Sequence, residues 1–218
     1  MSAQSGVPEP LAVVKVGGSL LDFPELPRRL EELLRALWAG GMRPVLIAGG
    51  GPAADLARGW DAAFDLGEER AHRLALSAMG LNARLLAEVI HGARLVADRT
   101  GLASAWDGGR IPVLDTAPFL EEEEARAAAS PLPHRWSATS DSVAGWIALR
   151  LEAAELVLVK SAPPPPQATL WDLAAQGYVD RDLPEMAAPI KAVSVVDLRG
   201  GREGGAISRR VIPNARRR

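Results

Sequence analysis

The segment Lys15–Ser19 combines a lysine, two glycines and a serine at the end of a short apolar run. Gly17 and Gly18 would let backbone N–H groups approach an anion, and the N-terminus of a following helix attracts negative charge. A lysine near the end of a strand can place its ammonium group at the same point, as phosphoryl transfer requires. The GxxxxGK[ST] spacing of a P-loop is absent. On spacing alone, a tight turn beside a solvent-reaching lysine explains the segment equally well.

Three consecutive glycines, Gly49–Gly51, separate a second apolar run from a segment that begins with Pro52. Consecutive glycines are unfavourable in chain entropy, so they predict a tight turn or a close approach of the backbone to a ligand. With Ala54 they also match the G-x-G-x-x-[GA] pattern of dinucleotide-binding folds. That pattern normally follows the first strand, and here no acid ends a following strand. A nicotinamide-dependent oxidoreductase is thus an alternative hypothesis, which predicts NAD(P) binding at Gly49–Ala54.

A third polar segment places Thr139, Ser140 and Asp141 just before an apolar helical pattern. A hydroxyl side chain at the N-cap and a carboxylate in the first turn both favour a helix, so capping alone explains the segment. In the functional interpretation, Asp141 orients a lysine or a Mg²⁺–nucleotide while the hydroxyls contact phosphate. This segment by itself favours the capping interpretation.

The remaining polar and aromatic residues give weaker signals. His72, His91 and His134 show no metal-ligand spacing, so we predict satisfied or surface histidines and no metal site. The acidic run Glu121–Glu124 predicts a solvated face or a helix start. Most of the six tryptophans are expected in the core, with Trp136 as a candidate for stacking on a flat acceptor.

Composition bounds the class of protein. The chain has 218 residues, 48% of them hydrophobic, which suits one domain or two tightly joined lobes with a sizeable core. It contains no cysteine, which excludes disulfides, zinc–thiolate sites, Fe–S clusters and thiol nucleophiles. A formal net charge of −2 gives no indication of nucleic-acid binding. The sequence shows no secretory signal and no membrane-spanning run, so a cytoplasmic location is expected.

The elements that position these residues alternate between short β-branched runs and amphipathic helical patterns. Such alternation predicts an α/β fold with a mostly parallel sheet. Strands are predicted at Leu11–Val16, Pro44–Ala48, Arg94–Ala97, Ile111–Leu114, Leu156–Val159, Ala192–Leu198 and Ala206–Ile212. Helices are predicted at Leu26–Leu37, from Pro52 onward, and at Glu68–Ile90, Thr139–Leu151, Leu170–Gln176 and Pro184–Ala188.

The inner face of the long helix is expected to carry Leu74, Ala78, Leu81, Leu85 and Val89. Pro163–Pro166 predicts a stiff polyproline stretch.

In this order the motifs resemble the amino-acid-kinase family, whose members begin with a strand ending in K-x-G-G-S and carry a G-G-G or G-x-G turn after the second strand. The family helix D-x-x-A-x-x-I-A is matched by Asp141–Ala148, and an apolar strand ending at Lys160 follows. The resemblance covers residues 11 to 212. Pro133–Ser142 is most similar to a small archaeal-type branch that includes the aminomethylfuran-methyl phosphate kinase of methanofuran or methylofuran biosynthesis.

The resemblance implies a three-layer αβα sandwich with a mostly parallel central sheet, formed by a single domain over residues 1–218. It implies an acceptor-binding half at 11–130 and a nucleotide-binding half at 131–213, with tails at 1–10 and 214–218. The implied activity is ATP-dependent phosphotransfer, with Mg-ATP and a small anionic acceptor, and aminomethylfuran phosphate is the expected acceptor. Family members usually form homo-oligomers through helices of the N-terminal half, so at least a dimer is expected.

The resemblance also implies roles for individual residues. Lys15 would stabilise the transferring phosphoryl group and Asp141 would organise the charged centre, while Lys160 and Lys191 are the candidates for the second family lysine. We assign Lys160 to the catalytic set. Substrate and phosphate contacts are expected from Gly17, Gly18, Ser19, Gly49, Gly50, Gly51, Thr139 and Ser140.

Two segments depart from the family pattern. Lys160-Ser161-Ala162 and four prolines stand where nucleotide-binding relatives usually have a Thr-Asp-x-x-Gly-like segment. Gly205-Ala206-Ile207 lacks the threonine of the terminal G-T-x-I pattern. These departures motivate a second hypothesis, a catalytically silent ligand-binding or assembly protein on the same fold.

Overall fold

One seven-stranded sheet, in the order β3-β4-β2-β1-β5-β6-β7, organises the residues that the computed structural model describes, namely 9–127, 131–200 and 208–215. Neighbouring strands are parallel except for β6 and β7, which are antiparallel. The strands are β1 Leu11–Val16, β2 Arg43–Ala48, β3 Ala93–Val96, β4 Ile111–Leu114, β5 Glu155–Lys160, β6 Ala192–Asp197 and β7 Arg209–Val211.

The strand predictions are confirmed to within one residue at each end, apart from the last. The predicted strand Ala206–Ile212 is reduced to β7, and Ala206 and Ile207 lie outside the described residues. Strands β1, β2 and β5 are apolar along almost their whole length because helices cover both faces of the sheet.

Eight helices surround this sheet within the described residues, together with a short 3₁₀ turn at Gly18–Leu20. They are α1 Leu26–Ala39, α2 Gly51–Phe64, α3 Glu68–Val89, α4 Arg99–Asp107, α5 Thr116–Arg126, α6 Ser140–Arg150, α7 Leu170–Ala175 and α8 Leu183–Met186. The pattern did not predict α4, which is short and alanine-containing and begins where the Asp98 side chain accepts a hydrogen bond from Gly101 N. Pro163–Pro166 forms neither helix nor strand, as predicted.

Strand alternation divides the core into two clusters, one on each face of the sheet. Val13 of β1 packs in the cluster that includes the α6 residues Val143 and Ile147. Val14 and Val16 pack in the other cluster, with the leucines of α1. Because successive side chains of a strand point to opposite faces, the expected three-layer αβα sandwich follows directly.

The predicted inner face of α3 is correct for Ala78, which is buried, but wrong for its three C-terminal residues. Leu81 is 61% exposed, Leu85 41% and Val89 38%, whereas Ala83 and Leu86 are buried. The helix carries two apolar stripes with the same spacing, so periodicity alone did not determine which one packs against the sheet. The exposed stripe is therefore an unexplained apolar surface.

The prediction of a solvated acidic run is also wrong for one residue. Glu123 of α5 is 1% exposed and accepts hydrogen bonds from Arg99 at 2.7 and 2.9 Å and from Arg126 at 3.0 Å. The hydrogen bond from Arg99 is the main cause that lowers the pKa of Glu123, although burial opposes it. The carboxylate thus ties α4 to α5.

None of the helices in the described residues combines the length and apolar character needed to cross a bilayer.

Candidate active site

Two lysines meet at the carboxyl ends of adjacent parallel strands. Lys15 of β1 lies beside Leu158 of β5, and Lys160 follows two residues after Leu158. Side chains two residues apart in a strand share a face, so both lysines point toward the side of the sheet that α6 covers. Strand β1 lies at the centre of the sheet, with β2 on one side and β5 on the other. The chain forms the β2 side first and the β5 side later, so the strand order reverses at β1. Open α/β sheets bind ligands at such a switch point.

Asp141 in the first turn of α6 bridges the two ammonium groups. Its Oδ1 lies 2.8 Å from Lys15 Nζ, and its Oδ2 lies 2.6 Å from Lys160 Nζ. Lys15 is 4% exposed and Asp141 3% exposed, so this ion pair is almost fully withdrawn from water. The bridge holds two ammonium groups side by side at the strand ends, where they can act together on an anion.

The pKa values of the bridged groups follow from burial and charge. Burial would raise the pKa of Asp141, but the charges of Lys15 and Lys160 and their hydrogen bonds outweigh it and hold the pKa below its ordinary value. The pKa of Lys15 is lowered because burial outweighs the attraction of Asp141, with Lys160 adding repulsion. Asp141 is therefore the counter-charge that favours the protonated form of Lys15.

The two glycine turns pack directly against each other. A Cβ atom on Gly18 would lie 2.3 Å from Gly51 N, and one on Gly49 would lie 2.7 Å from Gly18 N. Gly51 also has a positive φ of 49°, a conformation that favours glycine. The close contact of these glycines is between the two loops themselves, which brings the backbone of both turns to one place. The predicted approach of the backbone to a ligand stays a prediction.

A buried asparagine holds the second glycine turn. Asn82 of α3 donates from Nδ2 to the carbonyl oxygens of Gly49, at 2.7 Å, and Gly50, at 2.8 Å. The sequence interpretation missed this residue. The only signal for Asn82 was a polar side chain on the stripe of α3 that packs against the sheet. That signal was missed because the prediction assigned the other stripe to the core.

Asp180, which precedes α8, was also missed. Thr139, the N-cap residue of α6, makes no side-chain capping bond; its hydroxyl donates to Asp180 instead, and Ser142 N donates to the same carboxylate at 2.8 Å. Burial and the charge of Asp141 raise the pKa of Asp180, and these two hydrogen bonds oppose the rise. Asp180 caps the helix whose first turn carries Asp141, so it positions the charged centre.

The segment after β5 is also fixed. Lys160 Nζ donates to Tyr178 O at 3.0 Å as well as to Asp141, and Ser161 Oγ lies 3.0 Å from Ser19 Oγ. Lys191, the other candidate for the second family lysine, is exposed. It directly precedes β6, so it lies at the end of the sheet where the parallel strands begin. Of the two candidates, the structure brings only Lys160 to Lys15 and Asp141.

A cavity of about 210 Å³ opens beside the glycine turns and the N-terminus of α6. Its lining includes six residues that the sequence had singled out: Gly18, Ser19, Gly50, Gly51, Thr139 and Ser140. Trp136 also lines it, where its indole N–H donates to Asp61 at 2.8 Å. Six of the eight candidate phosphate-binding residues and the candidate stacking residue thus border a single cavity, whereas Gly17 and Gly49 are not part of its lining.

A family model described as the amino acid kinase family matches residues 10–163. The chain belongs to the amino acid kinase family. Among curated proteins it is 28% identical over 159 residues to the [5-(aminomethyl)furan-3-yl]methyl phosphate kinase of Methanocaldococcus jannaschii, covering 67% of this chain and 63% of the relative. It is 46% identical over 43 residues to the acetylglutamate kinase of Myxococcus xanthus, covering 20% of this chain and 14% of the relative. The chain therefore spans less than two thirds of either relative's length.

Solved structures of the family share the fold at low sequence identity. The uridylate kinase of Archaeoglobus fulgidus aligns with a TM-score of 0.57 and 18% identity, over 84% of this chain and 89% of that one. The aspartate kinase of Synechocystis aligns with a TM-score of 0.57 and 17% identity, over 94% of this chain and 41% of that one. The predicted family and the predicted αβα fold are both confirmed.

Two histidines of this family member stack beside the cavity. The rings of His72 and His134 lie 4.4 Å apart with an interplanar angle of 15°. Glu69 and Glu124 each lie 2.8 Å from a ring nitrogen of His134, which is therefore satisfied, as predicted for the histidines. The ring of His72 is 5% exposed and borders the cavity, which the sequence did not predict.

The stacked rings differ in basicity. Burial, and then the charge of His134, lowers the pKa of His72 to about 4, with Glu69 opposing. Burial also acts to lower the pKa of His134, but hydrogen bonds with Glu124 and Glu69 outweigh it and raise that pKa. Near neutral pH the cavity is therefore bordered by an uncharged imidazole with a more basic imidazole behind it.

A resident metal site does not fit the described residues, which contain no group of three or more His, Asp or Glu side chains that could hold an ion. Asp141 is occupied by two lysines, and Asp180 by Thr139 and Ser142. Mg²⁺ is commonly bound through substrate phosphates with few protein ligands.

Proposed function

We propose that this protein is an ATP-dependent phosphotransferase that acts on a small anionic acceptor. The observation that carries the proposal is the buried bridge of Lys15, Asp141 and Lys160 at the carboxyl ends of β1 and β5. Phosphoryl transfer needs positioned positive charge and backbone donors around the transferring group, with little covalent chemistry from the protein. In this proposal the lysine bridge supplies the positive charge, and the glycine turns beside it supply the backbone donors.

Each part of the site has a role in this proposal. Lys15 and Lys160 stabilise the negative charge of the phosphoryl group as its bond to ADP breaks and its bond to the acceptor oxygen forms. Asp141 keeps both ammonium groups charged and fixed. The glycine turns and the N-terminus of α6 direct backbone N–H groups and a helix dipole toward anionic oxygens. Mg²⁺, bound with the nucleotide, would neutralise part of the phosphate charge.

The two halves of the chain would divide the substrates. We place the acceptor in the half at 11–130, where the cavity of about 210 Å³ lies against α2 and α3. We place the nucleotide over the half at 131–213. A second cavity of about 140 Å³ there is lined by Asp197 and Arg210 beside Pro163 and Pro164. Arg210 donates to the carbonyl oxygens of Pro164 and Pro165 at 2.6 Å, which fixes the polyproline stretch in place.

The proposed acceptor is an aminomethylfuran phosphate, used in synthesis of a one-carbon cofactor. The relative from M. jannaschii is named as a kinase of that compound, and Pro133–Ser142 resembles its branch of the family. An acceptor that is already a phosphate needs no general base at neutral pH, because its oxygen is ionised. The protein then has to hold two mutually repelling anions in line.

The test is an ADP-release assay with Mg-ATP and a panel of small phosphates and amines that includes the aminomethylfuran phosphate. We expect ADP release that depends on the acceptor, with a new diphosphate signal by ³¹P NMR. No turnover across the panel, in a protein shown to be folded, would refute the proposal. The alternative, a catalytically silent binding protein, rests on the four prolines after Lys160. Turnover separates the two, because a silent protein can still bind Mg-ATP.

We also propose that the protein is a homo-oligomer that buries the exposed apolar stripes of its N-terminal half. Six of the seven large exposed hydrophobic residues in the described chain lie on α2 and α3, at four-residue spacing on each helix. They are Leu56, Trp60, Phe64, Leu81, Leu85 and Val89. Apolar surface of this kind is commonly covered by a partner.

Replacing Leu81 and Leu85 with glutamate is expected to convert the oligomer to a monomer, because two charges would then be buried against an apolar partner surface. Sedimentation velocity measures the change, and circular dichroism checks the fold. Val211→Glu is the matched control, since Val211 is 61% exposed but lies on β7, far along the chain from these helices. An unchanged sedimentation coefficient in the double variant would place the interface elsewhere.

A further inference from the structure

One wall of the cavity is a segment with almost no regular secondary structure. Residues 135–140, which we call the wall segment, lead into α6, and only the last of them is helical. The backbone N–H groups of Arg135 and Ala138 close local turns and do not reach another element. The position of the wall segment therefore depends on side-chain contacts. Five of its six residues line the cavity: Arg135, Trp136, Ala138, Thr139 and Ser140.

Carboxylates just before α8 hold the middle and the end of the wall segment. Arg135 Nε and Ser137 Oγ both donate to Asp182 at 2.9 Å. The hydroxyl of Thr139 donates to Asp180. Neither a guanidinium nor a hydroxyl loses its proton near neutral pH, so these donors do not change with pH in that range.

The start of the wall segment is held by the residue that precedes it. His134 lies between α3 and α5, where its Nδ1 is 2.8 Å from Glu69 Oε2 and its Nε2 is 2.8 Å from Glu124 Oε1. A carboxylate has no proton to donate, so each ring nitrogen must carry one for both hydrogen bonds to form. A ring with two N–H groups is the positively charged imidazolium. The geometry therefore requires a charged His134.

The groups that surround His134 favour this charge. From α3, Glu69 faces the ring and His72 stacks on it at 4.4 Å, while Arg73 pairs with Glu69 at 3.5 Å. From α5, Glu124 faces the ring. Burial, and then the charge of His134, lowers the pKa of His72 to about 4, so the stacked ring is uncharged near neutral pH. Two carboxylates thus face one imidazolium, and the ring behind it does not repel it.

We propose that the charged form of His134 positions the wall of the acceptor cavity. Within the described residues, His134 is not part of the cavity lining, so it acts through the wall segment that follows it. A ring that loses one proton keeps a single N–H group and can donate to only one of Glu69 and Glu124. The wall segment then loses its contact with α3 or with α5, and the acceptor binds less tightly at higher pH. The effect on turnover rests on the proposed function, whereas the charge of His134 does not.

The first experiment measures the charge of His134 directly. The chain has three histidines, and their ring ¹⁵N signals distinguish an imidazolium from a neutral ring by NMR. The signals are assigned from the spectra of His91→Gln and His134→Gln. We expect His134 to be doubly protonated near neutral pH, with a pKa above its ordinary value, and His72 to be neutral. A neutral His134 under these conditions would overturn the proposal, whether or not the protein releases ADP.

The second experiment follows KM for the aminomethylfuran phosphate in wild type and in His134→Gln. Glutamine can donate to one carboxylate, as a neutral imidazole does, and it does not titrate. We expect KM of the variant to exceed that of wild type by about tenfold at about pH 6.5, and by little at about pH 9, as for loss of one charge-assisted hydrogen bond. Ionisation of the acceptor affects both proteins equally and cancels in this ratio. A ratio that is constant with pH would overturn the proposal, because a purely structural role predicts it.

Two further variants test the same step. Arginine has several N–H donors and keeps its charge at every pH, so KM of His134→Arg relative to wild type should fall as the pH rises. A constant ratio in this variant would contradict the role of the charge. His91→Gln is the matched control, since His91 is exposed and is not part of the cavity lining. It should follow wild type at every pH.

The role of His134 can be measured in a protein that shows no turnover. Calorimetry then gives Kd of the same aminomethylfuran phosphate in place of KM, with the same variants and pH values. A ratio of Kd values that falls with pH, without ADP release, would retain the role of His134 while refuting the proposed phosphotransfer. A constant ratio, or no binding to wild type at any pH, would overturn the role of His134.

Discussion

Replacing Lys15 with methionine is expected to lower kcat/KM by about 10³-fold while leaving the protein folded. Removal of one preorganised group that stabilises transition-state charge typically reduces turnover by about 10²–10³-fold. Lys15 is the deepest of the three lysines, and its ammonium group lies 2.8 Å from Asp141. No other lysine can replace it, because Lys160 already occupies the second oxygen of the same carboxylate.

The fold should tolerate this change because of the charges that remain. Methionine has nearly the length of lysine and is at home in an apolar environment. Asp141 keeps its ion pair with Lys160, so no buried charge is left alone. Burial lowers the pKa of Lys15, which means that the folded protein holds this charge unfavourably. We therefore expect the free energy of unfolding, measured by urea denaturation, to change little or to increase.

Lys191→Met is the matched control for this prediction. It removes the same charge from an exposed position just before β6, at the opposite end of the parallel strands from Lys15. This variant should retain wild-type turnover. Equal loss in both variants would point to a general effect of net charge. Full activity of Lys15→Met would refute the phosphotransfer mechanism itself.

The sequence predicted this centre because its parts stand at the ends of well-defined elements. Lys15 is the penultimate residue of the apolar strand β1, and Lys160 is the last residue of the apolar strand β5. Parallel neighbouring strands have their carboxyl ends on the same side of the sheet. Asp141 was predicted to be in the first turn of a helix, and α6 packs against β1. Strand polarity and helix position were thus enough to bring the three residues close, although the partner of each oxygen was not predictable.

What the sequence did not predict depends on contacts between distant segments. Asp180 binds Ser142 across 38 residues, and Asn82 binds Gly49 across 33. The stack of His72 on His134 joins α3 to the segment before α6. None of these pairs has a characteristic spacing, because each joins segments that only the tertiary fold brings together. The choice between the two apolar stripes of α3 failed for the same reason.

The glycines were predicted with the right geometry, but their close contact was not with a ligand. An approach of backbone to ligand was one interpretation of Gly49–Gly51, and the structure shows that the close contact of Gly51 is with Gly18. Any side chain at Gly18 would overlap the backbone of the second turn at 2.3 Å. The glycines are therefore required to bring two backbone turns together, and phosphate binding at that place stays a prediction.

Replacing Asp141 with asparagine is expected to affect both stability and turnover. Lys15 and Lys160 would then face each other in a buried site without their shared carboxylate. Breaking a buried ion pair by removing one partner typically costs about 3–5 kcal/mol. We expect a decrease of that order in the free energy of unfolding by urea. Asp22→Asn is the matched control, since the exposed pair of Asp22 with Arg199 should contribute at most about 1 kcal/mol.

The turnover of Asp141→Asn should also depend on pH with a definite sign. Asp141 raises the pKa of Lys15 against the effects of burial and of Lys160, so its removal lowers that pKa further. A larger fraction of Lys15 then loses its proton near neutral pH. The activity of the variant relative to wild type should accordingly rise as the pH falls, and a flat ratio would show that Asp141 does not control the charge of Lys15. Adding Lys160→Met should recover part of the stability but not the turnover, because it removes the repulsion between the lysines while leaving Lys15 without its counter-charge.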